Sequence, residues 1–451
     1  MTLPIFRIDV IERGSAPRKG RVECVIGRHL KIDHESLRSY FLAEYNPIVI
    51  DALVVSAAVE FCDRIAHRPV RTWGRNFELR LPVHSPELWN SHPVSATLHD
   101  LLEYLTGDKW IVSFVALKRK FEEIQGYLPI QTEVSAVIPY SNGLDSHLVS
   151  WLKEQELGQK LVRVHLKPTK GDNSPNESTR FACIPFSVDH RENRFVESSA
   201  RSRGFKFSIV SGMAAYLAKA NRVIVSESGS GALGPNLVTV GQAYDDYRSY
   251  PIFSGKVSRL IKALFAVEVV FEFPQIWKTK SETLVEFIEK SGNNPSWMNT
   301  KSCWQDNRFV SVEGKARQCG ICAACMLRRL SIHAAGLREN PSTYVWESLS
   351  AKSFKAGASK SFKRRKITRA MTEYGIAGTL HLKHLAELKD SSLAEPILGL
   401  RASQLAKELL IPEDTASLNL TRLLSQHKLE WENFVNDLGR ESFVAQWAGQ
   451  N

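Results

Sequence analysis

Four cysteines of this chain have the spacing of a metal site. Cys303 is followed by Cys319, Cys322 and Cys325 within 23 residues, whereas the other three of the seven cysteines are scattered. The closely spaced cysteines can present thiolates from one knuckle and the remote one can close a tetrahedral site, which is typical of zinc. An iron–sulfur cluster suits the same spacing, whereas a disulfide is disfavoured because nothing else indicates secretion. Four thiolates leave no open coordination position, so we expect a structural Zn2+ that pins residues 304–318.

A second candidate site is a small-residue loop between a predicted strand and a predicted helix. The strand pattern covers residues 133–138, the helix begins near His147, and the loop contains Ser141, Asn142, Gly143, Leu144, Asp145 and Ser146. Backbone N–H groups of such a loop and the positive end of the helix converge on phosphate oxygens, and Ser hydroxyls donate further hydrogen bonds. No Gly-Lys-Ser/Thr follows, so the loop is not a Walker A motif. Taken alone, it is equally typical of an ordinary strand–turn–helix connection.

The loop resembles the Ser-Gly-Gly-x-Asp-Ser signature of PP-loop ATP pyrophosphatases, which split ATP into AMP and pyrophosphate to activate a carbonyl or carboxylate. The resemblance implies that Ser141, Gly143, Asp145 and Ser146 hold the β,γ-phosphates of ATP, with Asp145 near a bridging Mg2+. We expect Asp145 to be an exposed loop carboxylate. Asn142 stands where the family has its first glycine. Asn tolerates positive φ better than most side chains, so the loop can form, although Asn142 would crowd the phosphate path.

Composition is that of a soluble globular protein of two or three domains. The chain has 451 residues, of which 43% are hydrophobic and 24% charged. It has no run of 18 apolar residues and no charged-then-apolar leader pattern, so we expect a cytoplasmic protein without a membrane partner. The net charge of +11 suits phosphate-bearing ligands, nucleic acid or an acidic protein surface, without choosing among them.

Three regions differ in pattern. Residues 1–130 predict an α+β accessory domain, residues 131–337 alternate strand and helix patterns, and residues 338–451 are mainly helical, with a last helix at 437–447. The alternation predicts an α/β fold, a mostly parallel sheet with helices on both faces. A polar surface loop is expected at 170–178.

Within the middle region, individual elements can be placed. The candidate strands are residues 133–138, 161–166, 181–185 and 222–225. The candidate helices are residues 146–156, 207–219, 254–266 and 281–290. Ligands of open α/β sheets bind beyond the carboxyl ends of the strands. Residues 141–146 and 226–231 would lie there.

A basic stretch runs from Lys352 to Arg369, with eight basic residues and no acidic one. Such a run is typical of a solvated face or mobile linker, and otherwise of a docking patch for nucleic acid or an acidic partner.

The ordered set of middle motifs resembles the 7-cyano-7-deazaguanine synthase (QueC) superfamily of PP-loop, HUP-like proteins. Besides the loop, the resemblance rests on residues 199–203, 225–233, 278–282, 301–304 and 319–329. That synthase adenylates a 7-carboxy-7-deazaguanine with ATP, and then replaces AMP with ammonia to give an amide and finally a nitrile. The resemblance implies catalytic roles for Asp145, Ser146, Lys280 and Arg203.

The same resemblance suggests how three of these side chains act. Arg203 and Lys280 would be cations for the carboxylate or the α-phosphate, and Glu227 would contact the guanidine-like edge of the deazaguanine. Surface charges and a structural hydrogen bond are the alternative interpretations.

The chain is much longer than the synthase and extends on both sides of the shared core. Larger QueC-like proteins occur in bacterial antiviral operons, the Qat system and type IV CBASS, where the family is implicated in joining a deazaguanine to the N-terminus of a partner protein. The segments Glu227–Leu233 and Thr279–Glu282 resemble these defence members, and most of all those of the Qat system. The implied activity is an ATP-dependent carbon–nitrogen ligase that modifies a protein of the same operon.

Three other functions stay open. The chain could be a nitrile synthase with accessory domains, or a nucleic-acid-binding defence subunit with a vestigial nucleotide pocket, which Asn142 and the basic stretch favour. PP-loop sulfurtransferases acting on tRNA carry a reactive cysteine near ATP, whereas most cysteines here are committed to the metal.

Overall fold

The computed structural model describes most of the chain. The described residues are 3–33, 37, 46–69, 72–118, 133–166, 181, 183–190, 195–198, 200–241, 243–307, 309–392 and 394–449. The predicted loop at 170–178 and the predicted domain boundary near residue 130 lie outside these ranges.

The chain forms two compact units. The first contains residues 1–141, 153–225 and 246–272, and the second contains residues 142–152, 226–245 and 273–451. The three predicted domain ranges stay a prediction. Among the residues that the structure describes, none forms a helix both long and apolar enough to span a membrane.

Twelve strands are described. They are β1 Ile5–Ile11, β2 Val22–Val25, β3 Leu30–Ile32, β4 Asn76–Val83, β5 Lys109–Ala116, β6 Ala136–Tyr140, β7 Leu161–His165, β8 Phe186–Val188, β9 Arg222–Ile224, β10 Val270–Glu272, β11 Ser311–Val312 and β12 Lys315–Ala316.

The longest described helix, residues 413–438, belongs to the second unit. The described helices are α1 Pro47–Ile65, α2 Pro86–Asn90, α3 His92–Thr106, α4 Leu144–Leu157, α5 Arg203–Leu217, α6 Gly229–Ala232, α7 Gly234–Leu237, α8 Pro251–Phe265, α9 Lys280–Lys290, α10 Ala323–Ala334, α11 Phe354–Gly357, α12 Arg369–Glu387, α13 Ala394–Leu409, α14 Glu413–Leu438 and α15 Phe443–Trp447.

The first unit contains two four-stranded parallel sheets. Their strand orders are β2-β1-β4-β5 and β10-β9-β6-β7. Parallel neighbours need long crossover connections, which here include helices. The predicted fold class, an α/β protein with a mostly parallel sheet and a helical C-terminal region, is confirmed. The N-terminal segment contains both helices and strands, as predicted, and its sheet is wholly parallel.

The second sheet places the candidate loop at a strand end. Val137 and Ile138 of β6 are fully buried, as expected for a strand covered on both faces. The predicted strand at 181–185 is wrong. The strand is β8, which pairs antiparallel with β3 and begins after Pro185, because proline lacks the N–H that a ladder needs.

Helix ends differ from the predictions where capping decides them. Helix α9 begins at Lys280 because the Thr279 side chain accepts from the Glu282 N–H while the Glu282 carboxylate accepts from the Thr279 N–H. The predicted last helix at 437–447 ends at Trp447 as expected, but it begins at Phe443 and not near Asp437. Helix α14 ends at Leu438, Gly439 adopts a φ of 83°, and α15 is a separate helix.

In the first unit, a buried ionic cluster joins distant segments. The Arg75 guanidinium, fully buried, lies 2.7 Å from Asp63 and 2.8 Å from Asp108. Asp63 on α1 also accepts a 2.9 Å bond from the N–H of Ser202, the residue before α5. The Arg75 guanidinium and the carboxylates of Asp63 and Asp108 thus compensate one another's charge, as buried charges require.

The core of the second unit is built around the cysteine segment. Cys319, Cys322 and Cys325 share one hydrophobic cluster with Trp346 and, from the C-terminal helices, Met371, Leu382, Trp431 and Phe434. Helix α12 comes close to this segment at Gly378, where a Cβ would lie 3.0 Å from the Ala323 nitrogen. The C-terminal helices are therefore part of this core.

Two buried histidines predict acid sensitivity of this core. Burial lowers the pKa of His381 and of His427 to about 4. Since unfolded histidine has a pKa near 6.5, stability present above that pH is lost as pH falls toward 4, by about 3 kcal/mol per histidine. We expect the free energy of unfolding, measured with urea, to fall less between pH 7.5 and pH 4.5 in His427→Gln than in wild type.

The variant keeps a donor for the Leu382 carbonyl, which lies 3.0 Å from the His427 ring. Exposed His92→Gln is the control. Equal losses in wild type and His427→Gln would contradict the assignment.

Candidate active site and metal centre

The candidate phosphate loop is shorter than predicted. Strand β6 ends at Tyr140 and α4 begins at Leu144, not near His147, so Leu144, Asp145 and Ser146 form the first helical turn. Neither Asn142 nor Gly143 has a positive φ. The expected need for a left-handed residue at Asn142 is therefore wrong, and the backbone accommodates Asn without strain. Backbone N–H groups at this helix start remain suited to phosphate oxygens.

Apolar packing fixes the helix that carries Asp145. Leu144 and Leu148 are buried in a cluster with Leu284 and Phe287 of α9, and with Trp297 and Ile332. His147, on the same turn, lies with its Nε2 2.8 Å from the Ser296 hydroxyl. This packing aligns the N-terminal turns of α4 and α9.

The aligned helices bring Asp145 and Lys280 together. Asp145 forms an ion pair with the Lys280 ammonium and accepts a 3.1 Å bond from the Ser228 hydroxyl. Its exposure is only 7%, so the expectation of an exposed loop carboxylate is wrong. Glu227 completes the group, with its Oε1 3.5 Å from the Lys280 Nζ. The structure thus brings together three predicted site residues.

The charges of this cluster are mutually dependent. Burial opposes the charge on Lys280, but Asp145 and Glu227 outweigh it and raise the pKa of the ammonium above its ordinary value. Two carboxylates around one ammonium leave one net negative charge. A buried charge without such partners is strongly destabilising, so Lys280 depends on both acids.

Serine hydroxyls surround the ion pair. The Ser146 and Ser226 hydroxyls lie 3.5 Å apart, and the Ser230 hydroxyl accepts from the Lys280 N–H at 3.2 Å. We predicted from the sequence that residues 226–231 lie beyond a strand end, but we predicted no role for these serines. Their alternation, Ser226, Ser228 and Ser230, was the available signal.

Two glycines in the same segment provide space. A Cβ on Gly231 would lie 2.1 Å from the Glu227 Oε1, and one on Gly229 would lie 2.1 Å from the Ile276 carbonyl oxygen. The Gly229 N–H donates to the carbonyls of Gln275 and Lys278. Gly229 therefore leaves room for the backbone before α9, and Gly231 leaves room for the Glu227 carboxylate.

Two further predicted residues are assigned to the other unit. Ser141 and Arg203 belong to the first unit. Arg203 is the first residue of α5, and its guanidinium lies 5.2 Å from the Phe207 ring centroid. The binding and catalytic roles assigned to individual residues stay predictions.

The four predicted metal ligands form one cluster. Their Sγ atoms all lie within 4.8 Å of one another, and those of Cys319 and Cys325 are 3.7 Å apart. Zinc–sulfur bonds of about 2.3 Å give tetrahedral edges of about 3.8 Å. The arrangement fits zinc held by Cys303, Cys319, Cys322 and Cys325. None of the seven cysteines, all of which the structure describes, forms a disulfide.

Backbone donors surround the sulfur atoms. Cys303 Sγ accepts from the N–H groups of Cys319 and Gln305 at 3.2 and 3.3 Å, and Cys319 Sγ accepts from that of Cys322 at 3.3 Å. Such bonds stabilise anionic sulfur and orient it toward a metal. Gly320, with a φ of 86°, allows the tight turn.

The cysteine segment also contacts the candidate phosphate loop. The Lys301 N–H donates to the Asn142 carbonyl at 2.7 Å. The N–H groups of the next two residues, Ser302 and Cys303, donate to the side-chain oxygen of Gln318. The two candidate sites are therefore joined through a few hydrogen bonds.

The parallel sheets, their helices and the strand–loop–helix define an α/β protein whose fold is consistent with that of PP-loop proteins. Residues 213–336 match the family model described as queuosine biosynthesis protein QueC, which supports membership of the QueC-like superfamily. The match includes Glu227, Lys280 and all four cysteines but begins after residues 141–146. No curated protein matches the chain.

Removal of one thiolate tests the metal centre. We expect Cys322→Ser to lose zinc and to lower the thermal midpoint by about 10 °C, because metal binding contributes several kcal/mol of folding energy. Elemental analysis and thermal unfolding measure both effects. Cys183→Ser, outside the cluster, is the matched control and should retain one zinc per chain. Iron, or no metal in folded wild type, would contradict the assignment.

Two substitutions separate the charge of Asp145 from its packing. Asp145→Ala should destabilise the protein by about 3 kcal/mol, because it leaves the buried Lys280 with one acid partner fewer. Asp145→Asn, which keeps the shape and an acceptor for Ser228, should be less destabilising. Both should abolish AMP formation from ATP. Wild-type AMP formation in Asp145→Asn would exclude a catalytic role for this carboxylate.

Proposed function

We propose that this protein is an AMP- and pyrophosphate-forming ligase that activates a 7-carboxy-7-deazaguanine and transfers it to the N-terminal amine of a partner protein in antiviral defence of the Qat type. The carrying observation is the Lys280 ammonium held between Asp145 and Glu227, beside the phosphate loop. The match of residues 213–336 to the QueC family model supports a PP-loop enzyme related to 7-cyano-7-deazaguanine synthesis.

In the activation step, a carboxylate oxygen of the deazaguanine acid attacks the α-phosphorus of ATP. The bond from that phosphorus to the bridging oxygen breaks, and pyrophosphate leaves with the electron pair. Lys280 and the N–H groups at the start of α4 stabilise the developing negative charge. Asp145 would hold Mg2+, which when bound neutralises the leaving phosphates.

Glu227 suits recognition of the deazaguanine. A carboxylate accepts two parallel N–H bonds from a guanidine-like edge. Its side chain is 31% exposed, in contrast to that of Lys280 at 6%. Contact with Lys280 orients one oxygen, and the space that Gly231 leaves keeps the carboxylate in place.

In the transfer step, the amine nitrogen attacks the acyl carbon, the carbon–oxygen bond to AMP breaks, and the nitrogen loses a proton. A protein amine gives a secondary amide, which has only one hydrogen left on nitrogen. Dehydration to a nitrile requires two, so conjugation ends at the amide. Ammonia would instead give a primary amide that a second activation can dehydrate.

Support for a macromolecular acceptor comes from outside the matched segment. The C-terminal helices share the core of the cysteine segment. Lys363, Arg364 and Arg365 are exposed, and within the described part of the chain no acidic side chain pairs with them. Such a surface suits an acidic partner or nucleic acid, whose binding should weaken with salt.

The second candidate is the nitrile synthase acting with ammonia. It is favoured by the family match, which covers the cysteine cluster, Lys280 and Glu227. It assigns no role to the basic stretch.

Intact-mass spectrometry of a partner encoded beside this chain tests the proposal. We expect a mass increase of one deazaguanine acyl group on co-expression, absent with Asp145→Asn. The reason is that the residues outside the shared core position the partner's amine near the acyl carbon, so that orientation replaces concentration. Arg248→Gln, in the first unit and bonded to Asp246, is a control outside the cluster that should leave the modification unchanged.

Two outcomes would contradict the proposal. Efficient conversion of the free acid to the nitrile, with the partner unmodified, would establish the synthase. ATP turnover to ADP and phosphate would exclude the PP-loop chemistry itself.

A further inference from the structure

Helix α14, outside the segment that matches the family model, contacts the start of α9, which carries Lys280. Arg422, Gln426 and Glu430 follow one another at intervals of four residues, so they share one face of α14. Below them, Leu423 is buried and approaches Gly229, where a Cβ would lie 2.8 Å from its Cδ2. This face of α14 therefore covers two of the three segments of the lysine–carboxylate cluster, the one with Glu227 and the one with Lys280.

Glu430 binds the residues on either side of Lys280. Its Oε1 accepts from the Thr279 hydroxyl at 2.7 Å and from the Ser281 hydroxyl. Gln426 donates to the same oxygen at 3.1 Å. Glu430 is only 5% exposed. Burial raises the pKa of Glu430 even though three donors stabilise its charged form.

Arg422 holds the helix cap itself. Its guanidinium donates to both carboxylate oxygens of Glu282, at 2.6 and 3.1 Å, and to the Trp277 carbonyl. Glu282 is the carboxylate that caps the Thr279 N–H. From the opposite direction, Ser230 accepts the Lys280 N–H. The polar groups of the first turn of α9 are thus fixed on two sides.

We propose that Glu430 is a positioning residue for Lys280, which it aligns with Asp145 by holding the hydroxyls of Thr279 and Ser281. The consequence for ATP chemistry rests on the function proposed above. Glu430 itself contacts neither Asp145 nor Glu227 in the hydrogen bonds and ion pairs of the described residues. Displacement of a charged group by about 1 Å can reduce a rate by about 100-fold.

Three variants separate positioning from simple stability. Glu430→Ala leaves the Thr279 and Ser281 hydroxyls without their acceptor, whereas Glu430→Gln retains an acceptor oxygen of the same reach. Glu432→Ala is the matched control, because Glu432 is exposed, lies on another face of α14, and is 3.7 Å from Lys428.

The first measurement does not depend on ATP chemistry. Hydrogen exchange of peptides spanning residues 277–284 should be at least about tenfold faster in Glu430→Ala, because the first turn of α9 opens more often. Labelling of Lys280 by an amine-reactive probe should accelerate in parallel. Glu430→Gln should stay within about threefold of wild type and Glu432→Ala unchanged. Unchanged exchange and labelling in Glu430→Ala overturn the proposal.

The second measurement is AMP formation per folded molecule at a temperature well below every melting point. Glu430→Ala should lower kcat by about tenfold with KM for ATP within about twofold, and Glu430→Gln should restore most of kcat. Loss of thermal stability with an unchanged kcat overturns the positioning role. If wild type forms no AMP with any acid, the proposed function fails, and exchange and labelling still decide whether Glu430 positions Lys280.

Discussion

The buried ammonium of Lys280 is the constraint on which the rest of the second unit depends. A lysine that is 5% exposed keeps its charge only if acids lie next to it. Asp145 comes from the first turn after a strand, and Glu227 comes from the segment after its neighbour strand. Each must be held within ion-pair distance, so α4, α9 and the Ser226–Gly231 segment have little freedom to move. Rigidity here follows from electrostatics.

The same constraint explains the small residues of this region. Gly231 is needed because the Glu227 carboxylate occupies the position of its Cβ, and Gly229 because the Ile276 carbonyl does. The serines fill the remaining space with hydroxyls rather than methyl groups. Hydroxyls placed in this way are suited to donate to phosphate oxygens, while the Lys280 ammonium stays paired with Asp145 and Glu227.

Features that depend on short-range sequence pattern were predicted correctly. Strand and helix alternation gave the α/β class, and the cysteine spacing gave the sulfur cluster, because both depend on short-range geometry. The pairing of Asp145 with Lys280 joins residues 135 apart, and nothing in either segment records it. For the same reason, sequence reasoning wrongly predicted that Asp145 is exposed and did not identify Glu430. It also predicted a strand at 181–185, whereas the strand is β8, whose partner β3 lies far away in the chain.

The metal centre and the phosphate loop are coupled by position. Cys303 lies two residues from Lys301, whose N–H holds the Asn142 carbonyl. A bound metal fixes Cys303, and Gln318 holds the N–H groups of Ser302 and Cys303. The Lys301 N–H thereby holds the backbone of Asn142 in place. A structural zinc held by these cysteines would therefore also help to fix the backbone at Asn142.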